Sequence, residues 1–305
     1  MKQFFLIIFI LAGMNLQAQK PILPDFFADP SARVFGKTAW IYPTRDVAGN
    51  SNQEKTDWHC FSSDDMENWT DRGVIFGLNS LVWADKGPGS SDCIKENGKY
   101  YFYFTVDSQI GVAVSTSPTG PFMDELRKPL IAKNEGGTMV ADPNIFIDDN
   151  GQPYLIYGQN SLCIVKLKSN LTALEDTPTK LSIKNFHSGA WMYKRNGIYY
   201  LSYASTKSGN GANLLEYSMS NSPYGPWYYK GRLLDNNSKS VQHSIAEFKD
   251  KWYLFYHIDG NNPNERKVCM EPIEYNPDGS IKKITLSGEN SELTRVNPAS
   301  STKTN

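Results

Sequence analysis

Asn97-Gly98-Lys99-Tyr100-Tyr101-Phe102-Tyr103-Phe104 is a turn followed by an aromatic strand, and the same pattern returns along the chain. It recurs as Phe35-Gly36-Lys37-Thr38-Ala39-Trp40-Ile41-Tyr42, Asn150-Gly151-Gln152-Pro153-Tyr154-Leu155-Ile156-Tyr157, Asn196-Gly197-Ile198-Tyr199-Tyr200-Leu201-Ser202-Tyr203 and Asp250-Lys251-Trp252-Tyr253-Leu254-Phe255-Tyr256. Asn-Gly between apolar runs marks a β-hairpin, because both central residues of a type I′ turn need positive φ. Counted from Gly36, Gly98, Gly151, Gly197 and Lys251, the turns lie 62, 53, 46 and 54 residues apart. Turn-rich segments leading into an aromatic, such as Ser115–Phe122 and Ser220–Trp227, punctuate the second half of several units. Five such units predict an all-β, five-bladed β-propeller of four-stranded antiparallel blades, one domain over residues 19–305.

Composition agrees. The 305 residues include 17 Tyr, 15 Phe and 7 Trp, with 23 Gly and 17 Pro, which suits aromatic strands separated by tight turns. Lys and Arg (31) nearly balance Asp and Glu (32), so charge gives no reason to expect nucleic acid or an anionic membrane as partner. Residues 1–18, with Lys2, the apolar run Phe4–Ala12 and Leu16-Gln17-Ala18, read as a secretory signal peptide, so the chain is expected to be exported, periplasmic or extracellular. Nothing later is apolar enough to insert into a membrane. Cys60, Cys93, Cys163 and Cys269 are far apart inside strand-like stretches, without zinc-site spacing, and read as buried free thiols.

In a propeller, the heads of the innermost strands and the loops between second and third strands share one face, opposite the Asn-Gly turns. The strand heads here are Asp29, Asp92, Asp142, Ser188 and His243. A single Asp-Pro is ordinary turn chemistry. Ala-Asp-Pro at the same place in blades one and three singles out Asp29 and Asp142. Carboxylates and an imidazole converging there suggest hydrolysis of a neutral, hydroxyl-rich substrate, with Trp83 and Trp191 as faces on which sugar rings could stack. His59 and His257 lie in or beside strands and read as structural.

Over nearly the whole mature chain, the sequence resembles glycoside hydrolase family 43. The resemblance runs from Phe27-Ala28-Asp29-Pro30-Ser31 through Asp142–Gly151, Trp191–Gly197 and His243-Ser244 to Tyr275–Gly279. It implies an inverting glycosidase that removes arabinofuranose or xylose from plant polysaccharides. Asp29 matches the general base, and Asp142 the residue that orients the general acid and tunes its pKa. His243 matches a histidine near a central divalent cation, often calcium, held largely through water. Arg266 resembles a substrate-binding arginine; Phe186, Trp191 and Trp83 are the aromatic candidates beside it. No organic cofactor is implied.

The family places a glutamate as general acid just before the innermost strand of blade four. Here that stretch is Phe186-His187-Ser188-Gly189-Ala190-Trp191, and Ser188, like Asp142, stands nine residues before its turn glycine. A serine hydroxyl is a poor proton donor, and general acid catalysis contributes about 10²–10⁴-fold. Three explanations stay open. A loop carboxyl supplies the proton (Asp46, Glu54, Asp107 or Glu135), or His187 does, or the chain has kept a sugar-binding pocket and lost hydrolysis. Glu216, the next glutamate downstream, falls within a predicted third strand.

Overall fold

The structure is a computed structural model and describes residues 20–47, 56–205, 214–234, 238, 241–260, 262, 265–284 and 286. The expected signal peptide and Glu54 lie outside the described residues. Five antiparallel sheets follow one another along the chain. Blade one holds β1 (Phe27–Phe35), β2 (Thr38–Arg45), β3 (Asp57–Ser63) and β4 (Thr70–Gly77). Blade two holds β5 (Pro88–Glu96), β6 (Lys99–Val106) and β7 (Gln109–Ser115). Blade three is β8 (Asn144–Ile147), β9 (Pro153–Tyr157), β10 (Leu162–Lys166) and β11 (Thr179–Leu181). Blade four is β12 (Phe186–Arg195), β13 (Ile198–Ser205), β14 (Leu214–Ser220) and β15 (Tyr228–Leu234). Blade five is β16 (His243–Phe248), β17 (Lys251–Ile258) and β18 (Lys267–Ile273).

The two three-stranded blades complete their outer edges with irregular chain. Met123 bridges Val114 of β7, and the Ile22 N–H donates to the Val268 carbonyl of β18 at 2.9 Å, so the first described segment covers the edge of the last blade. Covering an edge this way satisfies backbone groups that would otherwise template aggregation.

The turns form as their residues require. Asn97 and Gly98 have φ of 50° and 76°, and Asn196 and Gly197 have 51° and 78°. Blade five makes the same turn from Lys249 (50°) and Asp250 (62°), without glycine. The hairpins lead into strands buried on both faces, because each blade is sandwiched between two others. Along β6, Tyr100, Phe102 and Phe104 pack toward blade one while Tyr101 and Tyr103 pack toward blade three. Alternation with period two therefore yields two apolar faces rather than one. The core is five such layers, one at each blade junction, the last joining blade five to blade one. All four cysteines are buried free thiols within these layers; burial pushes Cys60 and Cys269 up to about 12, so they are inert at neutral pH.

Candidate active site

The two Ala-Asp-Pro segments share one backbone shape. In blade one, Ala28 pairs with Thr44 and Ser31 with Tyr42, so Asp29 and Pro30 bulge opposite one residue. In blade three, the Gly158 N–H reaches the Ala141 carbonyl at 2.8 Å and Asn144 pairs with Ile156, which leaves Asp142 and Pro143 in the same bulge. Asp29 and Asp142 have φ of 52° and 59°, a left-handed conformation that non-glycine residues adopt at a cost and that clusters at functional sites. A bulge re-aims its side chain. Both carboxyls line a narrow cavity at the head of the inner strands, with Ser31, Ser90, Ser91, Ala190, Trp191, Gln242 and His243. The cavity has room for about one water molecule.

Blade four carries the third bulge, and its register corrects the count from the glycines. Ser188 pairs with Ala204 and Trp191 with Ser202, so Gly189 and Ala190 occupy the bulge. Gly189, not Ser188, is therefore level with Asp142, and it shares the positive φ, at 62°. The nine-residue count slips because the blade-three turn has three residues between Asp148 and Gln152, whereas the blade-four turn has two between Arg195 and Ile198. A Cβ at position 189 would lie 2.5 Å from the Gln242 side-chain oxygen, so glycine also lets Gln242 approach. Ser188 is buried in β12, immediately before Gly189.

Asp92 is likewise displaced from the expected position. It pairs with Tyr103, one step beyond Ser91–Phe104, which places it three residues into β5 relative to the Asp29 site. It is fully buried.

The two turn carboxyls have opposite surroundings. Asp29 Oδ1 accepts from Arg266 Nη1 at 3.0 Å, and His257 Nδ1 lies 3.4 Å away. His257 Nδ1 also accepts the Asp29 backbone N–H at 3.1 Å, which places any ring proton of a neutral His257 on Nε2. Asp142 is half-buried and its charge neighbour is Asp29. Burial pushes its carboxyl above the usual range and Asp29 adds to this, against hydrogen bonds from Ser90 Oγ (2.5 Å), the Gly189 N–H (3.1 Å) and the Gln242 side chain.

Arg266 and Asp46 form a clamp. Asp46 is buried, and its carboxylate accepts both Nε and Nη2 of Arg266 at 2.9 Å and the Arg266 N–H at 3.1 Å. Burial alone would lower Arg266, but Asp29 and Asp46 hold it well above the usual guanidinium range. The candidate acid Asp46 is thus a carboxylate held by three N–H donors, an arrangement that orients the arginine.

The other loop candidates are also engaged elsewhere. Asp107 pairs with Lys133 at 2.8 Å, which holds it below the usual carboxylate range and in the wrong state for an acid. Glu135 Oε2 accepts the Ala132 N–H at 2.9 Å within its own turn. His187 Nδ1 meets Asn160 Oδ1 of the β9–β10 loop at 3.1 Å. Glu216 lies in β14, buried, and accepts from Asn185 Nδ2 and the Tyr229 hydroxyl.

Of the aromatic candidates, Trp191 lines the cavity but is no open platform. It is buried, its indole N–H donates to the Ile245 carbonyl at 2.9 Å, and the Arg33 guanidinium sits 4.4 Å from its ring centroid. Trp83 and Phe186 are half-buried and lie outside the cavity lining. Trp83 stacks on Phe104 and donates to Asp124; Phe186 leans on Tyr203. A larger groove of about 460 Å³, lined by Asp57, Val74, Phe76 and Asp85, lies away from the paired carboxyls.

His243 is buried against Ser202 Oγ at 2.6 Å, and burial, then His257, lower it to about 3, so it is neutral at ordinary pH. Its Nδ1 is buried with no partner among the described residues, as suits contact with a water. A directly liganded calcium is a different matter, because it takes six to eight oxygen ligands. Among the described residues, no group of three or more His, Cys, Asp or Glu side chains is arranged to hold a metal ion. The donor set does not fit such a cage.

Ser90, Gly189, Gln242 and His257 complete the site and were not singled out by sequence. Gln242 and Ser90 are adjacent or close to flagged residues; His257 carried only the signal of a polar residue within an aromatic strand.

The family model for glycosyl hydrolases family 43 matches residues 18–281. The chain belongs to that family. A xylosidase/arabinosidase of Bacteroides ovatus is 29% identical, over 87% of this chain and 96% of the relative. Among solved structures, a family 43 β-xylosidase/α-arabinofuranosidase from a compost metagenome, in complex with xylotriose and calcium-free, is 28% identical with a TM-score of 0.79, covering 88% of this chain and 97% of that one. An α-L-arabinofuranosidase from Clostridium thermocellum is 35% identical with a TM-score of 0.75, covering 86% and 94%. The protein is thus a family 43 glycosidase, an enzyme that hydrolyses O-glycosyl bonds, and it needs no organic cofactor for that chemistry.

Proposed function

We propose that this family 43 glycosidase is exported and removes arabinofuranose or xylose from plant-type polysaccharides or oligosaccharides with inversion. Asp29 is the base that takes a proton from the attacking water, and Asp142 is the carboxyl that orients the general acid and tunes its pKa. The observation that carries this reading is the pair of similarly strained Asp-Pro turns opening on one cavity, one beside a guanidinium and the other, among the described residues, beside none. An ionised carboxylate suits a base, and Arg266 keeps the charged form of Asp29 favourable. Inversion needs that base on one side of the sugar and a proton donor on the other, about 6.5–9.5 Å apart. Arg266, beside Asp29, is the group assigned to sugar contact.

By the resemblance alone, Ser188 before Gly189 stands where the family carries its glutamate, and it favours a second reading, a pocket that binds the sugar but protonates the leaving group poorly. Nitrophenyl glycosides separate the two, because nitrophenolate departs without protonation. If wild type cleaves nitrophenyl α-L-arabinofuranoside or β-D-xyloside but not unactivated oligosaccharides, and Ser188→Glu gains the latter, the acid has been lost from an intact pocket. Efficient cleavage of natural oligosaccharides by wild type would place a donor elsewhere. Sugar binding without turnover of any substrate would contradict the hydrolase reading.

A further inference from the structure

β1 and β8 belong to different sheets, so no backbone ladder sets the Asp29 turn relative to the Asp142 turn. Blade two stands between them, and its buried Asp92 reaches both. Oδ1 accepts Ser31 Oγ at 2.7 Å and Arg33 Nε at 2.8 Å, both from blade one. Oδ2 accepts the Ile145 N–H at 2.7 Å and Asn144 Nδ2 at 3.2 Å, both from blade three, together with the second arm of Arg33. The Cys93 N–H adds a sixth donor to Oδ1 at 2.8 Å. Ser31 and Asn144 occupy the same place, two residues beyond Asp29 and Asp142 across an intervening proline. Proline leaves little backbone freedom between the held residue and the reactive one.

We propose that Asp92 is a positioning residue for the hydrolytic site: one carboxylate, taking Ser31 on Oδ1, Asn144 and Ile145 on Oδ2 and Arg33 across both, holds the two Asp-Pro turns at a set separation. This rests on the reading of Asp29 and Asp142 as the working pair. Only a carboxylate fits the role. An asparagine presents one acceptor oxygen, so its NH₂ would oppose the donors of one blade or the other. The network continues to blade four, where Asn144 Oδ1 accepts the Met192 N–H at 2.9 Å. It closes through blade five, where Trp191 donates to the Ile245 carbonyl and the Ala32 N–H donates to Ser244 Oγ. Misplacing a reacting group by about 1 Å can cost on the order of 10²-fold in rate.

The test uses Ser31→Ala, which releases the blade-one turn alone, Ser31→Thr, which restores a hydroxyl, and Asp92→Asn. For each, kcat and KM on a nitrophenyl glycoside, the melting temperature, and the ¹³Cγ titration of Asp142 are measured. Ser31→Ala is expected to lower kcat about tenfold with KM within about twofold, and Ser31→Thr to recover it. The Asp142 titration is expected to move in Ser31→Ala and in Asp92→Asn. A lowered melting temperature with unchanged kcat and an unmoved Asp142 titration in Ser31→Ala would overturn the proposal, leaving Asp92 a stability residue. Should Asp92→Asn fail to fold, Ser31→Ala and Ser31→Thr decide. The titration needs no turnover: if wild type cleaves nothing but Asp142 still responds to Ser31→Ala, the hydrolase reading fails and the positioning role stands.

Discussion

Asp29 and Asp142 sit in the same tripeptide, in the same bulge, at nearly the same left-handed φ, yet they differ in charge environment. Asp29 faces Arg266, which is itself clamped by Asp46. Asp142 faces Ser90, Gln242 and a backbone N–H, with Asp29 as its charged neighbour. The tripeptide sets the shape of the turn, and the adjacent blades set what the carboxyl can do. In a propeller each strand head borrows its surroundings from chain far away in sequence. Two copies of one motif can thereby diverge into a water-activating carboxylate and a modulating one without any local change.

Breaking the stronger half of this contrast gives the largest effect. Asp29→Asn is expected to lower kcat on nitrophenyl glycosides by about 10²–10⁴-fold with little change in KM, the range for loss of a general base; steady-state kinetics checks it. Making the turns alike from the other direction, Arg266→Gln removes the cation from Asp29 and leaves two recessed carboxylates without it. Breaking a buried ion pair on one side costs about 3–5 kcal/mol, measurable by denaturant unfolding.

Smaller effects concern pH. Because the Asp142 carboxyl is raised in the folded state, its contribution to stability is fully present below the ordinary carboxylate value of about 3.9 and is lost as pH rises through the raised value. Asp142→Asn should flatten the unfolding free energy across that window. His243 acts in the opposite sense. Its folded value is lowered to about 3, so its contribution is present above the unfolded value of about 6.5 and is lost as pH falls toward 3. His243→Gln should weaken that acid-side loss, as read from melting temperatures between these limits.

The propeller was legible because its signals are local. Asn97-Gly98 and Asn196-Gly197 encode their turns in two residues, and the aromatic alternation of Tyr100–Phe104 serves two cores at once. Blade five was legible even without glycine, since Trp252–Tyr256 keeps the strand pattern. The repeated Ala-Asp-Pro likewise marks two turns that the structure builds as the same bulge. What was illegible is non-local. The extra residue in the blade-three turn shifts Gly189 into register with Asp142, and no count along the chain exposes it. The Asp46–Arg266 pair spans 220 residues and the Asp29–His257 contact 228, so a loop aspartate resembled a free acid and a strand histidine a core residue. Trp191 looked like a sugar platform because sequence cannot show the Arg33 guanidinium covering it.

The contrast between the turns is tested most directly by following the ¹³Cγ resonance of Asp142 against pH in wild type and in Asp29→Asn. Asp142 is expected to titrate above the ordinary carboxylate range and to move down when the Asp29 charge is removed. A titration at or below the ordinary value, unchanged in Asp29→Asn, would contradict the account, since the two carboxyls would then share neither a site nor a division of labour.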